Sequence, residues 1–120
     1  MTATASFING LLNSAFRGVT YTGGTITMRL FTGNIPSAGG VQVTGGSYAP
    51  QTMSFSPAAS KKVQTSANVT FTNLPTSQVI VAYGVYDGAS LIDEKSLDSP
   101  FIADVNVNTL QVSYSFELGV

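Results

Sequence analysis

Asp87, Asp93, Glu94, Asp98, Asp104 and Glu117 are the carboxylates of this 120-residue chain, and Lys61, Lys62 and Lys95 are its lysines. Two carboxylates facing each other across a cleft could hydrolyse a glycosidic bond. Asp93, Asp98 and Asp104 could offer oxygens to calcium. The setting speaks against both chemistries. Most of these acids occupy turns or strand edges, and neither a calcium loop nor an Asp-Gly repeat is present. A serine nucleophile needs a base, and the chain has no histidine. The lysines lie in polar stretches where a depressed pKa is not expected. Cysteine is also absent, which removes thiolate chemistry and disulfides together. With no phosphate loop and no dinucleotide fingerprint, the sequence predicts no catalytic residue, no cofactor, no bound metal and no enzyme.

Charge narrows the reading further. Only 9% of residues are charged, against about 25% in a typical soluble domain. Five basic residues against six acidic ones cannot build the patch that nucleic acid requires. No stretch reaches the roughly 18 apolar residues of a membrane span. The first residues, Met-Thr-Ala-Thr-Ala-Ser-Phe, carry no basic group and no long apolar run, so no secretory signal is expected. The expected product is made in a cytoplasm and meets neither membrane nor nucleic acid. A surface wetted by Thr, Ser, Asn and Gln, with a net charge of −1, suits a chain that sits against other protein.

The elements that would hold such a surface can be read from the periodicity. Ser6 is the expected N-cap of a short helix with Phe7, Ile8, Leu11, Leu12, Ala15 and Phe16 along one stripe and Gly18 at its end. That stripe either caps one end of a β-core or docks on a neighbouring subunit through Phe7 and Leu11. From Thr25 the period becomes two. Alternating segments follow at 25–32, 51–55, 67–72 and 109–118, with turn-rich stretches between them. Segment 79–86 is apolar in both phases, as in a strand buried on both faces or one that packs against a partner through Tyr83. Asp87-Gly88 predicts a hairpin, with a return strand from Leu91 and with Asp93, Glu94 and Lys95 on an exposed edge. The expected fold is one mainly β domain over 1–120, with an N-terminal segment 1–18 and a β-core 19–120. It is an antiparallel β-sandwich or small barrel of about six to seven strands with one short N-terminal helix.

The most distinctive local pattern is Gly45-Gly46-Ser47-Tyr48. Paired glycines supply positive φ for a tight bend. Tyr48 combines an apolar ring with a hydroxyl that anchors the loop when it finds a partner.

Set in order, Leu11–Arg17, Met28–Thr32, Gly45-Gly-Ser-Tyr-Ala-Pro-Gln51, Met53-Ser-Phe55, Ala67–Phe71 and Gly84-Val-Tyr-Asp87 resemble a family of short tailed-bacteriophage proteins labelled tail-fibre proteins. Thr76-Ser-Gln stands where that family often has a Trp, and Asn106–Thr109 where it often has a Gly-Asp turn. The resemblance implies a virion structural protein whose partners are other virion proteins, either the major capsid protein or tail proteins. It also implies a homo-oligomer, with a trimer favoured. A chain of this length carries no shaft repeats, which points to a capsid decoration (cement) protein. The alternative is a tail-fibre or baseplate module that contacts the host receptor or a glycan, with Tyr21 and Tyr48 as a sugar platform. The residues expected to serve assembly or loop anchoring are Phe7, Leu11, Gly45, Gly46, Tyr48 and Tyr83.

Overall fold

In the computed structural model, which describes residues 3–21 and 23–117, the alternation that begins at Ile26 becomes strand β1 (Ile26–Thr32). Its Met28 and Leu30 are fully buried. Short partners β2 (Val41–Gln42) and β3 (Gln51–Thr52) cover parts of its outer edge, and β6 (Val79–Asp87) runs antiparallel along its inner edge. β6 turns at Gly88, at φ 59°, into β7 (Ser90–Ile102), completing a five-stranded antiparallel sheet.

Two short ribbons supply the second layer. β4 (Lys62–Gln64) pairs with β9 (Ser115–Glu117), and β5 (Val69–Phe71) pairs with β8 (Leu110–Val112). Val69, Phe71, Val112 and Tyr114 from this layer join Met28, Leu30, Ile80 and Val85 from the main sheet in one core cluster. Each such aliphatic or aromatic side chain contributes roughly 1.5–3 kcal/mol on burial. Few charged groups compete with them, so this core can hold 120 residues without a disulfide.

The mainly β, antiparallel architecture with one N-terminal helix is the one the sequence predicts. The described residues form nine strands rather than six or seven. The segment 109–118 splits at Ser113-Tyr114, where the Tyr114 N–H leaves the strand pattern and donates to Thr65 Oγ1 at 3.1 Å. Leu118, expected at the end of that segment, lies outside the described residues.

β6 is covered on both faces, as its sequence requires. On the core face stand Tyr83 and Val85, paired with Leu30 and Met28. Gly84 faces the other way, and a Cβ there would lie 3.1 Å from Pro36. Pro36 begins a single 3-10 turn, Pro36–Ala38, that lies on this outer face. The turn is pinned by Glu94, whose carboxylate accepts from Ser37 N at 2.8 Å and from Ser37 Oγ.

The expectation of an exposed edge at Asp93 and Glu94 is therefore corrected. Both carboxylates are buried, on opposite faces of β7. The register explains it. Val85 pairs with Asp93 and Tyr86 with Leu91, so Ile92 is an extra residue, a bulge that turns Asp93 toward the core. There Asp93 Oδ2 accepts from the Tyr114 hydroxyl at 2.5 Å. Only Lys95 is exposed as expected.

Candidate assembly surface

Thr4, and not Ser6, caps the helix α1 (Ala5–Arg17): its Oγ1 accepts from Phe7 N at 3.3 Å. The same residue clips the helix to the sheet. Thr4 N donates to the Ile92 carbonyl and Thr4 Oγ1 to the Leu91 carbonyl, each at 3.0 Å. Both acceptors lie at the β7 bulge, on the strand that ends the sheet order β2-β1-β6-β7. One turn on, the Phe7 ring meets Phe116 and Tyr21 edge-to-face at 5.7 and 6.0 Å. Gly10 follows from the same contact, since a Cβ there would sit 3.0 Å from the Tyr21 ring.

The segment leaving the helix is tied back as well. Gly18 ends α1 in the left-handed conformation, at φ 68°. Tyr21 then donates its hydroxyl to Asp87 Oδ2 at 2.8 Å, and Gly24 N donates to Oδ1 of the same carboxylate. Partial burial, with the Asp87 hydrogen bond and charge added, raises the Tyr21 pKa above its ordinary value. Asp87 thus closes the β6–β7 hairpin and holds the helix linker at once.

Beyond its first turns the helix has little to lean on. None of its residues is buried. Leu12 and Phe16 are 50% and 84% exposed, and Val19 just past the end is 49% exposed. The result is an arm that begins at the sheet and projects from it, and with the arm included the molecule measures 51 × 28 × 25 Å. At its base lies an apolar cavity of about 220 Å³, walled by Phe7, Ile26, Phe55, Val63, Tyr114 and Phe116 among others. A second exposed apolar patch is made by Val79 and Ile102, which pair across β6–β7; Val41, Val105 and Val107 are exposed as well. Val79 opens β6 and Asp87 closes it, so this patch and the arm's clip sit at opposite ends of the main sheet.

The residues expected to act in assembly do not form one site. Phe7 and Leu11 are half-buried, and Phe7 packs on its own chain. Gly45 and Gly46, at φ 97° and 58°, make the predicted kind of bend far along the chain from the arm. Tyr48 follows that bend, stacks on Phe71 at 6.1 Å, and accepts hydrogen bonds from Leu30 N and Gln42 Nε2 at 3.1 and 2.9 Å. Tyr83 is buried against Tyr114 and presents no surface. The exposed large apolar groups on α1 itself are Leu12 and Phe16, members of the helical stripe that the sequence did not single out. Their distance from the cap was the available signal: a helix clipped at its first turn leaves its last turn uncovered.

Among the described residues, no three acidic side chains converge to hold a metal ion. Asp93 and Glu94 are occupied by hydroxyl and backbone donors. What the arrangement offers is adhesion. The protein family described as podophage GP4 fiber I protein gp80 matches residues 2–91, from the arm to the start of β7. No curated protein matches the chain.

Proposed function

Because the chain belongs to the podophage GP4 fiber I protein gp80 family, it is a structural component of a phage virion, and we propose that within the particle it serves as a fibre module of the short tail. The role proposed is mechanical, with no catalytic step. The observation that carries this reading is the projecting arm. A domain that keeps its core to itself and extends an uncovered apolar helix is built to be joined to other virion proteins. The family's description as a fibre protein favours the tail over the capsid-decoration alternative.

Immunogold labelling of intact particles tests the assignment. Gold confined to the tail region is the expected result. Gold spread evenly over the heads would replace it with the decoration role.

A further inference from the structure

The arm and the cavity at its base are both apolar, and among the described residues the arm's Leu12 and Phe16 stay exposed and do not line the cavity. Phe7 is part of the cavity wall, and Phe16 lies nine residues further along the helix, roughly 13 Å away by the helical rise. We propose that the cavity beneath α1 receives the outer half of α1, Leu12 and Phe16, from a second copy of this chain.

Size and charge favour this occupant. An apolar cavity of about 150 Å³ accommodates a benzene ring, so about 220 Å³ admits the Phe16 ring. The arm's one charged residue is Arg17, a cation. The polar recess that shares Phe7, Tyr21 and Ile92 with the cavity contains Asp87. Opposite charges therefore meet when the arm enters. A 13-residue helix is also marginal in water unless its apolar face is covered. One face of such a helix offers roughly 300 Å², well short of the ~800 Å² per partner of a stable pair. The contact is consequently weak in dilute solution and forms where copies are crowded, as on a particle. It does not depend on whether that particle surface is tail or head.

The chain has no tryptophan and no cysteine, which gives clean reporters. In Phe16→Trp, emission is expected to shift to the blue as concentration rises, in step with a rise in mass by sedimentation. Val63→Phe, which fills the cavity, and the double variant Leu12→Ser/Phe16→Ser, which removes the knob, should each lose self-association. Mixed together they should regain it, because one supplies an arm and the other a cavity. Should Val63→Phe fail to fold, Phe16→Cys mixed with Val63→Cys under oxidation reads the same contact as a mixed disulfide exceeding either homodimer. Three outcomes overturn the proposal. In the first, the protein stays monomeric with unshifted emission at the highest concentration reached. In the second, a folded Val63→Phe variant assembles like the parent, which would point to arm-on-arm packing or to the patch at Val79 and Ile102. In the third, the mixture stays monomeric or the mixed disulfide fails to exceed the homodimers.

Discussion

The Tyr48 hydroxyl accepts the backbone N–H of Leu30 at 3.1 Å, at a point on β1 that neither of its short outer partners covers. β3 pairs with Thr27 and Met28, β2 with Phe31 and Thr32, and the side chain of a loop residue fills the gap between them. Gly45 and Gly46 bend the chain so that this ring reaches the sheet, where it also lies on Phe71.

Tyr48→Phe keeps the stacked ring and removes the acceptor. Leu30 is fully buried, so its N–H would be left without a partner at a cost of about 1–3 kcal/mol. Urea unfolding should show a lower midpoint with an unchanged slope. An unchanged midpoint would mean that water replaces the hydroxyl.

Alkaline pH should unfold the protein through Tyr83 and Tyr114. Burial, with the charges of Asp93 and Asp98 added, pushes the Tyr83 pKa up to about 12. Burial and the hydrogen bond to Asp93 hold Tyr114 well above the ordinary tyrosine range. Both folded values exceed the unfolded value of 10.0. Their contribution to stability is complete below pH 10 and falls as pH rises from there through 12 and beyond. Each group adds a slope of up to about 1.4 kcal/mol per pH unit. Tyr114→Phe should lower stability at neutral pH and reduce the alkaline slope by about half, as read from denaturation at a series of pH values.

Two glycines with positive φ should respond differently to alanine. Gly18 faces open space, so Gly18→Ala carries only the left-handed backbone cost of about 1–2 kcal/mol. Because the arm is outside the core, that cost should appear as lost helical circular dichroism with little change in melting temperature. At Gly46 the new Cβ would lie 2.8 Å from the Asn73 carbonyl oxygen. Gly46→Ala should therefore cost about 2–4 kcal/mol and lower the melting temperature of the whole domain.

Amide hydrogen exchange should divide the chain the same way. The backbone of α1 opens without exposing any buried side chain, so its amides should exchange fastest among the regular elements. Those of β6, paired on both edges, should exchange last. Equal protection in the two elements would mean that the arm is held by contacts beyond its first turn.

Strand periodicity was legible wherever one strand face meets the core, as at Met28 and Leu30. The two-faced pattern at 79–86 likewise marks a strand covered on both sides. Asp93 and Glu94 were misread because their burial depends on a bulge at Ile92 and on partners distant in sequence, Tyr114 and Ser37. Local pattern sees two acids after a hairpin and assigns them to solvent. The split at Ser113-Tyr114 was hidden for a similar reason, since alternation continues through it while the hydrogen bonding does not. In the assembly surface, the helical stripe was visible, but its division into a docked base and a free tip was not. That division is set by Thr4, a cap two residues earlier than the one expected, and by Tyr21 arriving from beyond the helix.

An arm whose only charge is Arg17 has a consequence for the environments a virion passes through. Ionic strength screens charged contacts and leaves apolar ones in place. In junctions made by Leu12 and Phe16, added salt would weaken the Arg17–Asp87 attraction and leave the apolar part of the contact in place. Their weakness would be cold, because apolar association loses its driving force on cooling.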